Sequence, residues 1–120
     1  MKPLKIYICG KYSSDNILGC LKNIARLNKT ASELFELGFA PFSPAWDMSF
    51  VINNPEGQYT KDMFYDASMV WLECSDAVYV ISGVGDKGGV DAEIVRAEKL
   101  YIPVFYDVKD LLRWARFKFL

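Results

Sequence analysis

Four short apolar runs, each followed by a stretch with helical apolar spacing, organise the chain. Residues 5–9, with Ile6, Tyr7 and Ile8, predict a buried strand that Gly10 ends. After a polar loop over 11–16, Ile17, Leu21, Ile24, Ala31, Leu34 and Phe35 recur at helical spacing. They predict a helix over 17–37, with Asn28 as the break in its stripe and Gly38 as its C-terminal stop. Residues 39–43 predict a second strand, stopped by Pro44. Residues 45–59 read as a long loop, of a length that is often functional in a small domain. Thr60 is the predicted N-cap of a helix reaching about Cys74. A third strand is predicted over 77–81, then a glycine-rich loop over 82–89 and a helix over 90–100. A fourth strand over 102–106 precedes a last helix, opened by Asp107 or Asp110 and carrying Leu111, Leu112, Trp114 and Ala115.

Strand–helix alternation implies a parallel sheet with helices on both faces. Right-handed crossovers restrict the order, and a small flavodoxin-like α/β sheet, 2-1-3-4, is predicted. Ligands would then bind at the switch point between strands 1 and 3, outside their carboxyl ends. The loops 10–16 and 82–89 converge there, and the long loop after strand 2 is placed to cover it.

Length and composition suit a single domain over residues 1–120: 52% of the chain is hydrophobic and 24% charged. A net charge of −1 argues against a nucleic-acid polymer as partner. No apolar run reaches the ~18 residues of a membrane helix, so no membrane partner is expected. The opening Met1-Lys2-Pro3-Leu4-Lys5 lacks a signal-peptide core. Cys9, Cys20 and Cys74 are odd in number and widely spaced, which fits a reducing, cytoplasmic compartment. The chain has no histidine, which excludes Ser-His-Asp and Cys-His pairs and the usual zinc sites. Acid–base chemistry therefore falls to carboxylates, Tyr, Lys or Cys.

The glycine-rich segment Ser82-Gly83-Val84-Gly85-Asp86-Lys87-Gly88-Gly89 is the first candidate site. Its glycines permit tight turns and close approach of a ligand, and the helix N-terminus beyond suits a phosphate. A plain strand–helix connection is the other reading. Gly83 to Gly88 also fits G-x-G-x-x-G, with Asp107 near the place of a ribose-binding acid. Only one more strand follows, too little chain for the two mononucleotide-binding halves a dinucleotide needs. Glu93 lies in the first turn of the next helix, facing the same crevice, where the helix dipole favours its ionised form. Such a carboxylate can attack an anomeric carbon. An ordinary first-turn acid is the plainer alternative.

The run Gly89-Val90-Asp91-Ala92-Glu93-Ile94-Val95-Arg96-Ala97, followed by Ile102-Pro103-Val104, resembles the nucleoside 2-deoxyribosyltransferase superfamily. Its pattern is G-V-x-x-E-x-x-x-A, a short gap and a P-V strand. Lys5-Ile6-Tyr7-Ile8-Cys9-Gly10 is similar to its opening strand, and Trp71-Leu72-Glu73-Cys74-Ser75-Asp76-Ala77-Val78-Tyr79-Val80 to its third. That superfamily includes deoxynucleoside 5′-monophosphate N-glycosidases and small, often phage-borne relatives.

The resemblance implies that Glu93 attacks C1′ and displaces the base. Water then releases the sugar, as in a hydrolase, or a second base accepts it, as in a transferase. Tyr7 would help hold that carboxylate or the sugar; a core aromatic is its other reading. Gly10, Lys11, Tyr12, Ser13 and Ser14 would meet the sugar, phosphate or base. A small nucleoside or nucleotide is the implied partner, no cofactor is needed, and a homo-oligomer is implied. Where the superfamily has an aspartate before strand 3, this chain has Ser68. Asp66, or Asp62, is then the expected acid for the leaving base. Lys87, with Asp86 beside it, stands where the superfamily's hydrolases place a phosphate-binding serine and its transferases an aspartate, and Asp91 replaces a small residue near Glu93. On the long loop, Trp46 and Phe50 can stack on a base and Asp47 or Asn53 can read its edge, or the aromatics pack beneath the loop. Lys87 and Ser68 keep open a binding module of the same fold without turnover.

Overall fold

Lys5–Cys9 forms β1, with Ile6, Tyr7, Ile8 and Cys9 all buried, as the near-continuous apolar run of a central parallel strand requires. The computed structural model describes residues 2–81 and 89–118. Around β1 the sheet takes the order β2-β1-β3-β4, with β2 at Ala40–Phe42, β3 at Ala77–Val80 and β4 at Val104–Phe105. All three pairings are parallel, with Tyr7 opposite Phe42 on one side and Val78 on the other. Flavodoxin-like topology in the order 2-1-3-4 is thus the observed architecture. Among the described residues no helix is long and apolar enough to cross a membrane.

The pleat divides β1 between two cores. Ile6 and Ile8 face α1 (Ile17–Glu36) and α5 (Val108–Lys118), packing with Leu27, Ala31, Leu34 and Leu111. Tyr7 and Cys9 face the other way, with Leu72 of α3 (Lys61–Glu73) and with Val90 and Ala97 of α4 (Gly89–Lys99). Asn16 and Thr60 cap α1 and α3, each side chain accepting a backbone N–H, at 2.8 and 3.2 Å. Gly38 takes φ +97 just past α1, a left-handed turn that suits glycine.

Three expectations are corrected. The buried stripe of α1 is Leu27, Ala31 and Leu34, while Ile17, Leu21 and Phe35 are exposed. The segment after β2 is mostly helical: a 3-10 turn at Pro44–Asp47 runs into α2 at Met48–Asn53. Proline presets that first turn, but Phe50 and Ile52 face solvent, so no amphipathic stripe announces α2. Finally β4 holds only two residues; Pro103 has no N–H to donate, although its carbonyl accepts from Val78 at 2.9 Å.

Candidate active site

The candidate site lies beyond the carboxyl end of β1, against α4. Along α4, Val90, Glu93 and Ala97 fall on one helix face, and Val90 and Ala97 are buried against β1. Glu93 is therefore a carboxylate on an apolar stripe, brought to the side chains on that face of β1. Tyr7 Oη donates to Glu93 Oε1 at 3.2 Å. Cys9 Sγ donates to Glu93 Oε2 at 2.9 Å and lies 3.8 Å from the Val90 carbonyl. One phenol and one thiol, two residues apart on one face of a strand, grip the two carboxylate oxygens.

Both donors hold their protons. Burial, then the Glu93 charge, push the Tyr7 phenol far above its ordinary value; Cys9 adds to the rise and Ser68 partly offsets it. Burial, the Glu93 charge and its hydrogen bond push the Cys9 thiol far up as well, with Asp91 adding to the rise. The Tyr7 ring is fixed by stacking on Phe42 at 5.7 Å, and Phe42 stacks on Trp71 at 5.5 Å.

Glu93 opens onto a cavity of about 270 Å³, close to the small end of the ~300–1,000 Å³ usual for small-molecule sites. Gly10, Lys11, Tyr12 and Ser13 line it from the loop after β1, Pro44 and Asp47 from the 3-10 turn, and Lys61, Phe64, Tyr65 and Ser68 from α3. The turn is pinned beneath: Ser43 is buried and its hydroxyl donates to Asn28 Oδ1 at 3.1 Å. That bond accounts for the polar break in the α1 stripe. Asp47 is only 8% exposed, and burial holds its carboxyl above the usual carboxylate range. Tyr12 lies in the field of both Asp47 and Glu93; burial first, then these charges and Cys20, raise its phenol.

The geometry thus brings together Tyr7, Gly10, Lys11, Ser13, Asp47 and Glu93. Gly89 is the first residue of α4. Gly83, Asp86, Lys87 and Gly88 lie outside the described residues. Two of the expected residues are not brought to this cavity. Asp66 is exposed on α3 and does not line the cavity, because the helix turns Ser68 and Leu72 inward and Asp66 sits about 200° away from Ser68. Trp46 is 42% exposed and packs edge-on against Phe42 at 5.6 Å, facing a separate groove between α1 and β2. Phe50 is exposed too. Besides Tyr12, Phe64 and Tyr65 bring aromatic rings to the cavity, and their position on α3 hid them from a reading that looked to the long loop. A larger cavity of about 420 Å³ lies at the other end of the sheet; Lys2 and Arg116 are its charged groups among the described residues.

The architecture is a deoxyribosyltransferase-like α/β fold. Among solved structures, the chain is similar to the 2-deoxyribosyltransferase of the psychrotolerant bacterium Bacillus psychrosaccharolyticus. The TM-score is 0.63 at 20% identity, over 83% of this chain and 69% of that one. At that identity the likeness establishes the shared fold. No model of a known protein family matches the sequence, and no curated protein matches it.

Proposed function

We propose that the protein cleaves or exchanges the N-glycosidic bond of a small nucleoside or nucleotide, with Glu93 as nucleophile. The observation that carries this reading is the carboxylate held by Tyr7 and Cys9 at 3.2 and 2.9 Å, at the mouth of a cavity. Two neutral donors favour its charged form and fix its direction. Each oxygen keeps a second lone pair for attack on C1′. The shared fold with a 2-deoxyribosyltransferase supports the same reading. Incubation with a panel of deoxynucleosides and their 5′-monophosphates, followed by chromatography for free base, is the direct test. Added second base separates transfer from hydrolysis.

Lys11 and Lys61 bring two cations to one cavity, which suits a phosphorylated substrate. Lys61→Ala should weaken binding of a 5′-monophosphate about tenfold, the loss of one charge-assisted contact. Affinity for the unphosphorylated nucleoside should stay unchanged, as calorimetry would show. Equal loss for both ligands would remove the phosphate assignment.

Cys9 gives a sharper expectation for the nucleophile's geometry. Cys9→Ala removes one of the two donors and should slow base release about tenfold. Cys9→Ser keeps a donor and should stay within a few-fold of the parent. Infrared spectra supply an independent measure: the Cys9 S–H stretch should shift when Glu93 becomes Gln.

One observation favours a second reading, a binding module without turnover: α3 presents a buried Ser68, where the resemblance implies an aspartate. Tight nucleotide binding with no base released at high protein concentration would select it.

A further inference from the structure

We propose that Asp47 is the general acid that protonates the departing base. The inference rests on the glycosidic-bond reading above and gives the acid's role to a residue that lines the cavity, which Asp66, exposed on α3, does not.

The strand order gives the first argument. In the sheet β2 and β3 flank β1 on opposite sides. Asp47 comes from the β2 side and Glu93 from α4, after β3. Glu93 is held against β1 by Tyr7 and Cys9, so a sugar in the cavity would meet Glu93 from β1 and α4 and Asp47 from the turn after β2. Displacement at C1′ needs that arrangement, with the nucleophile on one face and the leaving group on the other.

The second argument is the inventory of groups. Among the described residues, Asp47 and Glu93 are the carboxylates that line the cavity. The other polar or ionisable groups there are Lys11, Tyr12, Ser13, Lys61, Tyr65 and Ser68. Asp47 is buried, yet its side chain makes no capping bond to α2, the helix it precedes. Burial favours the protonated carboxyl that a general acid needs, and a bound base would remove more water and push the same way.

The step balances. A Glu93 oxygen bonds to C1′ as the C1′–N bond breaks. The bond's electron pair goes to the base nitrogen, and the Asp47 proton goes to an acceptor nitrogen or oxygen of the base. Asp47 is left as carboxylate. Water then attacks C1′, gives its proton to Asp47, and releases Glu93 as carboxylate. The acid of the first half is the base of the second.

An N7-methylated purine supplies the test, since it departs as a neutral base and needs no proton. The wild-type chain, Asp47→Asn and Glu93→Gln are compared on the best purine 5′-monophosphate and on its N7-methyl form, by the single-turnover rate of base release with enzyme in excess, which reports the first half alone. Asp47→Asn should lose about 10²–10⁴-fold on the ordinary purine, the usual worth of a positioned acid. On the N7-methyl form it should stay near the wild-type rate, while Glu93→Gln loses both. The fall in rate as pH rises through the raised Asp47 value should also vanish in Asp47→Asn. Equal losses on the two substrates, or none on either, would overturn the assignment while leaving Glu93 in place. A wild-type chain that binds nucleotide and releases neither base would overturn the parent reading, and this one with it.

Asp47→Asn is expected to stay folded. Burial raises the Asp47 carboxyl in the folded chain, so the folded state binds more protons than the unfolded one between the two values. Stability tied to this group is present at low pH and is lost as pH rises through that window. A neutral asparagine avoids that loss, so Asp47→Asn should hold or raise Tm at neutral pH.

Discussion

Glu93→Gln should abolish base release, lowering the rate roughly 10⁴-fold or more, with the fold retained. A drop of that size is about 5 kcal/mol of transition-state stabilisation. It is the largest effect expected of any single substitution here, because the amide keeps the shape of the side chain but has no charged oxygen to attack C1′. The substitution also tests the grip on the carboxylate. An amide offers one oxygen, so only one of Tyr7 and Cys9 can keep its acceptor. The orphaned donor should cost a few degrees of Tm, against a loss of activity that is near total. A second measurement removes ambiguity. Acid quenching of the wild-type reaction should trap a glycosyl ester on the peptide containing Glu93, seen as a mass increase that Glu93→Gln lacks. Substantial release by Glu93→Gln would end the nucleophile assignment.

The parts of this site that were legible from sequence are those where chemistry and periodicity coincide. Glu93 was singled out by its place in the first turn after the glycine-rich loop and by the resemblance, and the structure adds that it shares a helix face with the buried Val90 and Ala97. Tyr7 was expected at the site from the resemblance, and the alternation of β1 places residues 7 and 9 on one face. The same alternation puts Cys9 beside Tyr7, and that signal went unread because a lone cysteine in a strand looks like a small core residue. The four parallel strands and their order followed from alternation and handedness. What stayed hidden depended on side-chain direction within α3 and on helical turns with no apolar stripe. Asp66 and Ser68 differ by two positions, and only the packing of Leu72 decides which one faces in. Asp47 and Trp46 are neighbours on one turn, yet one lines the cavity with Glu93 and the other a different groove. In a 3-10 turn, adjacent side chains point about 120° apart, so their division follows from geometry that begins at Pro44.

Leu27→Ala carries the other large expectation, this time on stability. Leu27 is 1% exposed and sits in the core that Ile6 and Ile8 share with α1 and α5. Truncating a buried leucine costs about 2–5 kcal/mol, out of roughly 5–15 for a whole domain. Tm should fall by roughly 8–20 °C, read by circular dichroism or calorimetry. Leu27→Met, which nearly conserves volume, should cost under about 1.5 kcal/mol. Leu27 also reaches the site from below: a side chain added at Gly10 would come within 2.9 Å of Leu27 Cδ2. The loop that starts at Gly10 and carries Lys11 and Ser13 into the cavity therefore rests on this leucine. Ligand affinity should fall with Tm in Leu27→Ala, whereas Lys61→Ala should lose phosphate affinity at unchanged Tm. Should Leu27→Ala melt with the parent, α1 would not be the support on which the sheet and its binding loop depend.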